Sequence, residues 1–101
     1  MTKYIVYTKE KGKIETNNYN EFDGLTLHGE NGPAIQGFYY SGKLANEVYY
    51  LNNKRHRLDG PAFQSFYNNG KLEYESYYIN GKYYTKTEYD AEIFKMKLAL
   101  L

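Results

Sequence analysis

The chain has no cysteine, no tryptophan and only two prolines among its 101 residues, and its formal net charge is +1. Without cysteine there is no disulfide framework, no thiolate metal site and no cysteine nucleophile, so stability has to come from packing; a reducing compartment tolerates such a chain. The small net charge argues against an extended nucleic-acid surface, because phosphate binding normally shows as a basic excess. No apolar run approaches the length that spans a bilayer, and the segment Met1–Tyr7 lacks a signal-peptide core, so a cytoplasmic location is expected.

What is abundant is tyrosine. There are 14 tyrosines and 5 phenylalanines, an aromatic content of 19%. Tyrosine joins a large apolar ring to a hydroxyl that can reach water, which suits thin sheets whose residues are half covered. With 42% hydrophobic and 25% charged residues, the composition is that of a globular chain, and its length fits one domain, residues 1–101.

A shift of 28 residues aligns His28–Lys54 with His56–Lys82 without a gap. His28 meets His56, Gly32-Pro33-Ala34 meets Gly60-Pro61-Ala62, and Phe38-Tyr39 meets Phe66-Tyr67. Further on, Gly42-Lys43-Leu44 meets Gly70-Lys71-Leu72, Glu47 meets Glu75, and Tyr49-Tyr50 meets Tyr77-Tyr78. So many coincidences in one register identify a duplication. Each copy reads as two strands around a tight turn: 34–40 and 43–51 flank Ser41-Gly42, while 62–68 and 71–79 flank Asn69-Gly70. Asn-Gly between β-formers predicts a two-residue hairpin loop with positive φ at both turn positions. Asn52-Asn53 and Asn80-Gly81 turn the chain again, and the Gly-Pro pairs interrupt the ladder because proline cannot donate a hydrogen bond.

Residues 1–27 read as a degenerate hairpin cap, with Lys11-Gly12 as one turn and Asp23-Gly24 as another between Tyr19–Phe22 and Leu25–His28. Residues 28–55 and 56–84 are the two repeats. After Tyr84 the pattern changes: Thr85 and Glu88 have capping-box spacing, and Tyr89, Ile93, Met96 and Leu100 recur at helical spacing beside Phe94 and Leu98. The expected fold is therefore mainly β (α+β), an antiparallel meander of repeated hairpins closed by one C-terminal amphipathic helix, within 85–101 and spanning about Lys86 to Leu98.

The stretch Lys54-Arg55-His56-Arg57-Leu58-Asp59-Gly60-Pro61-Ala62, with Tyr67-Asn68-Asn69-Gly70, Glu75-Ser76-Tyr77-Tyr78 and Asn80-Gly81-Lys82 after it, resembles a repeat of phage, giant-virus and bacterial proteins. That "NGK-x-HR-x-DGPA" repeat is itself similar to the MORN-type repeats of a bacterial antitoxin family. The resemblance covers residues 28–82, and the first copy departs from it where Gly29-Glu30-Asn31 stands in place of Arg57-Leu58-Asp59. It implies a chain of β-hairpins used as a binding scaffold, without chemistry. It further implies a small inhibitor from a phage or another mobile element in a bacterial host cell, one that blocks a toxin, a nuclease or a defence effector such as a CRISPR protein. Peripheral lipid binding, proposed for MORN proteins, is an alternative.

No catalytic constellation is legible: Ser41 and Ser76 lack a nucleophile elbow, and Glu47 and Glu75 are repeat equivalents rather than an acid–base pair. His28 and His56 lack a third ligand for a metal and read as structural histidines hydrogen-bonded within the Gly-Pro turns. No enzyme activity, cofactor or metal is expected. The candidate partner-binding residues are the basic run Lys54, Arg55, His56 and Arg57, with the repeat-equivalent pairs Tyr39 and Tyr67, Tyr49 and Tyr77. Strand alternation puts Leu72, Tyr74, Ser76 and Tyr78 on the expected core face, with Leu44, Asn46, Val48 and Tyr50 as their equivalents. Tyr49 and Tyr77 then stand among charged neighbours on the exposed face. The expected function is that of a protein-binding module; a basic run flanked by tyrosines leaves single-stranded nucleic acid as an alternative partner, and the hairpin edges with Leu98-Ala99-Leu100-Leu101 leave room for a homo-oligomer.

Overall fold

The computed structural model describes residues 3–101. Along the chain run β1 (Lys3–Thr8), β2 (Gly12–Thr16), a single 3₁₀ turn (Tyr19–Phe22), β3 (Ile35–Phe38), β4 (Leu44–Val48), β5 (Tyr50–Leu51), β6 (Lys54–Arg55), β7 (Phe63–Phe66), β8 (Leu72–Ile79), β9 (Lys82–Tyr84) and α1 (Lys86–Ala99). Seven strands form one antiparallel sheet in the order β2-β1-β3-β4-β7-β8-β9, and β5 with β6 forms a small second one. The protein is mainly β with a C-terminal helix, as its repeats imply.

The turns fall where glycine and asparagine place them, but they are of two kinds. At Asn52-Asn53 (φ 50° and 66°) and Asn80-Gly81 (φ 49° and 84°) both residues are left-handed. These are two-residue primed turns, whose twist matches that of the flanking strands. At Ser41-Gly42 and Asn69-Gly70 only the glycines have positive φ, 86° and 87°. There the Gly42 N–H donates to the Tyr39 carbonyl (2.9 Å) and the Gly70 N–H to that of Tyr67 (2.9 Å), and each ladder shifts register just before its turn. These are three-residue loops with glycine in the bulge position, so the expected two-residue loop is corrected: neither Ser41 nor Asn69 is left-handed, and one glycine per turn suffices.

Pro33 and Pro61 end the ladders as expected, and this divides the first long strand. Beyond Val48 the chain leaves the large sheet; Tyr49 N–H donates to the Ala62 carbonyl (2.7 Å), and Tyr50 and Leu51 then pair with Arg55 and Lys54. Residues 19–22, read from sequence as a strand, form a 3₁₀ turn instead. The Asn18 side chain accepts the Asn20 N–H (3.0 Å) and starts a turn in competition with the ladder.

Helix α1 begins at the expected capping box: Thr85 Oγ1 accepts the Glu88 N–H (3.2 Å), and Glu88 Oε1 accepts the Thr85 N–H (2.9 Å). Hydrogen bonds to Thr85 hold the Glu88 carboxyl below its ordinary pKa. Only the first half of the helix packs. Tyr89 joins Tyr77 and Ile79 in a core cluster edged by Tyr84 and Ile93. The expected core face is thereby corrected in part: Ser76 and Val48 on it are buried (4% and 6% exposed), but Leu72 and Tyr74 are 46% and 55% exposed, whereas Tyr77 and Ile79 on the other face are 8% and 5% exposed. Tyrosine is equally at home on either face of a strand, so alternation alone could not choose, and the helix covers the face of Tyr77. That residue is buried rather than exposed.

Candidate functional site

The repeat translates hydrogen bonds as well as residues. His28 Nδ1 accepts the Asn52 N–H (3.1 Å), and His56 Nδ1 accepts the Asn80 N–H (2.9 Å). The Gly29 N–H donates to the Tyr50 carbonyl (3.0 Å), and the Arg57 N–H to that of Tyr78 (3.2 Å). Each histidine therefore anchors the primed turn that closes its own unit, not the Gly-Pro turn. Burial pushes the His56 pKa down, consistent with a ring whose Nδ1 serves as an acceptor. Among the described residues, no group of three or more His, Asp or Glu could hold a metal ion.

The N-terminal segment contributes to this pattern in a way its sequence hides. The Tyr7 N–H donates to the Ala34 carbonyl (2.8 Å) and its own carbonyl accepts from His28 (3.1 Å), as Tyr49 does with Ala62 (2.7 Å) and His56 (3.1 Å). Thr8 bridges Leu27 as Tyr50 pairs with Arg55. So β1 takes the part of β4 for the first repeat. Sixteen residues separate Lys9 from Thr26 where two separate Leu51 from Lys54, and the additional stretch carries β2, which flanks β1 at the sheet edge.

Tyr7, Tyr49 and Tyr77 are thus three successive equivalents, and each faces a groove at the same end of the sheet. The groove at Tyr77 is sealed by α1, where the Tyr89 and Tyr77 ring centroids are 4.8 Å apart. There the Tyr89 hydroxyl donates to the Arg57 carbonyl (2.7 Å) and accepts the Gly60 N–H (3.2 Å). The groove at Tyr49 is filled by an arginine, with the Arg57 guanidinium carbon 4.0 Å from the ring centroid. Arg57 Nε donates to Asp59 Oδ1 (2.9 Å) and Nη1 to the Pro61 carbonyl (3.1 Å), leaving about 350 Å³ of cleft. The groove at Tyr7 is open, a cleft of about 790 Å³ bordered by Tyr7, Lys9, His28, Glu30, Asn31 and Pro33. Burial raises the pKa of the Tyr49, Tyr77 and Tyr89 hydroxyls, and for Tyr77 a hydrogen bond to Glu75 adds to it.

The basic run Lys54–Arg57 is not one positive patch. Strand β6 ends at Arg55, so alternation does not hold its two arginines on one face, and they engage rings on opposite faces of the sheet. Arg55 lies between Phe63 (5.4 Å) and Tyr78 (5.3 Å), while Arg57 lies on Tyr49. Burial opposes the charge of Arg55, but hydrogen bonds to the Tyr50 and Tyr78 hydroxyls outweigh it and hold its pKa above the ordinary arginine value. Lys54 is exposed, and His56 is half-buried at its turn. Tyr39 is a cross-link, its hydroxyl donating to the Phe66 carbonyl (2.7 Å), and Tyr67 stands half exposed at the opposite end of the sheet from the grooves. The structure thus brings Tyr49, His56 and Arg57 together in one groove with Tyr77 buried in the next, and leaves Tyr39 and Tyr67 apart. Sequence reading missed Tyr7, Gly29, Glu30 and Tyr89. The readable signal was the departure Gly29-Glu30-Asn31 from Arg57-Leu58-Asp59.

Compared with known proteins, the chain matches no protein-family model, no curated protein and no solved structure.

Proposed function

We propose that this protein is a non-catalytic binding module that acts by covering part of another protein, in the manner of an inhibitor or antitoxin. The observation that carries the reading is the distal half of α1. Phe94 and Leu98 on it, and Leu100 and Leu101 just beyond its end at Ala99, are 63%, 51%, 86% and 101% exposed, and none of the described residues buries them. Apolar side chains that cluster on a helix clear of its own domain favour a protein partner, since water contact is their only alternative. The MORN-like resemblance of the repeats points the same way and suggests a toxin, a nuclease or a defence effector as the partner. An extended nucleic-acid surface is disfavoured, because the two arginines of the basic run are engaged on opposite faces. No helix of the described residues is long and apolar enough to cross a membrane.

The test uses the intact chain as bait in lysate of its native host, beside the double variant Phe94→Glu/Leu98→Glu. Both positions are exposed, so the fold is expected to lose no more than about 0.5 kcal/mol. One protein recovered in stoichiometric amount by the wild type and lost with the variant supports the reading. Recovery of the chain alone, with a dimer mass in light scattering, would replace it by self-association.

A further inference from the structure

The open groove at Tyr7 keeps the tyrosine and the Gly-Pro loop that receive an arginine in the next unit, with the neutral Asn31 in place of Asp59, but has no arginine of its own. Arg57 is held by three things: the Tyr49 ring beneath it, the Asp59 carboxylate and the Pro61 carbonyl. Their equivalents Tyr7, Asn31 and Pro33 all border the larger cleft. The residue in the place of Arg57 is Gly29, and among the described residues no arginine or lysine stacks on Tyr7. Nor can position 29 supply one without moving the backbone, because a Cβ there would lie 2.5 Å from the Gly32 carbonyl oxygen. The chain's two arginines, Arg55 and Arg57, are engaged elsewhere, so a guanidinium in this groove has to come from another molecule.

We propose that this groove binds the guanidinium group of an arginine side chain presented by a partner protein. The chemistry is that of the filled groove beside it. A planar guanidinium stacks on the tyrosine face while its forked N–H groups reach acceptors at the loop. Glu30 replaces Leu58 and adds a carboxylate, 78% exposed, with Oε1 3.6 Å from His28 Nε2. Lys9 replaces Leu51 and borders the same cleft, so the site carries one side chain of each charge. Selection consequently rests on shape and hydrogen bonding, which favours guanidinium over a compact ammonium. The arginine's origin in a protein rests on the binding-module reading; the guanidinium site itself does not.

The test is a titration of the ¹⁵N-labelled chain with N-acetyl-arginine amide, followed by amide shifts, beside the isosteric neutral N-acetyl-citrulline amide, the lysine analogue and free arginine. Saturable shifts at Tyr7, Gly29, Glu30 and Asn31, with citrulline and lysine at least fivefold weaker, support the site. Arg57→Ala should open the neighbouring groove and add a second set of shifts at Tyr49, Leu58 and Asp59, so the proposal does not depend on a variant that damages the first groove. Absence of saturable shifts at residues 29–31, or equal binding of citrulline, overturns it. Tighter binding of free arginine than of the capped residue overturns the protein source. Failure here leaves the helix-based capture experiment unaffected, and failure of that capture leaves this titration readable.

Discussion

The Tyr89 hydroxyl bridges both ends of the Arg57–Gly60 loop, donating to the Arg57 carbonyl at 2.7 Å and accepting the Gly60 N–H at 3.2 Å. One residue of the helix thus closes the last groove of the repeat array, with its ring on Tyr77 and its oxygen in the loop. The helix occupies the position where a further repeat would place its own loop, so α1 ends the array as β2 borders its other edge.

Tyr89→Phe keeps the ring stack and removes the bridge, leaving a carbonyl and an N–H without their partner. A loss of about 1–3 kcal/mol is expected in urea unfolding monitored by circular dichroism. A loss no greater than that of Tyr83→Phe, at an exposed position, would show that the bridge contributes nothing.

Thr85→Ala deletes the side-chain half of the capping box and should cost about 1 kcal/mol, whereas Thr85→Ser should restore most of it. Thermal unfolding of the three chains at one pH measures the order. Equal midpoints would mean that packing of Tyr89 alone sets the helix start.

His56 accepts the Asn80 N–H through Nδ1, and burial lowers its pKa. The unfolded chain then binds the proton more readily than the folded one. The histidine's contribution is full above the ordinary histidine pKa of about 6.5 and is lost as pH falls through that value toward the lower folded one. Urea midpoints should therefore drop between pH 7 and pH 5. His56→Asn keeps an acceptor near the Nδ1 position and cannot be protonated, so its profile should be flatter over that interval. Parallel profiles for the two chains would remove His56 as the cause.

Arg57→Ala removes the stack on Tyr49 and the hydrogen bonds to Asp59 and the Pro61 carbonyl. The guanidinium side chain is 20% exposed, so a cost of about 1–2 kcal/mol is expected, more than an open surface pair contributes. Arg57→Lys should recover less than half of it, since an ammonium cannot stack and fork at once. Full recovery by lysine would reduce the interaction to simple charge.

Much of the fold was legible. The 28-residue register, the Gly-Pro interruptions, the asparagine turns and the Thr85–Glu88 cap are local devices, and each appears where its residues stand. The site was legible only in part. Tyr49 and Arg57 were singled out for the right unit, but as neighbours on an open surface, and Tyr77 was placed on the wrong side of the exposure line. Tyr7 could not be found by repeat alignment, because the longer Lys9–Thr26 connection breaks the 28-residue spacing on which that alignment depends.

What the sequence by itself determined is the series of strands and turns, because positive φ, proline's missing N–H and a helix cap act within a few residues of themselves. Only the tertiary structure decided which strand face is buried and which groove stays open. Those outcomes depend on contacts across many residues, Tyr89 on Tyr77 and Arg57 on Tyr49, set against a glycine at position 29. Rings that suit water and core alike leave such choices to whichever distant side chain reaches them.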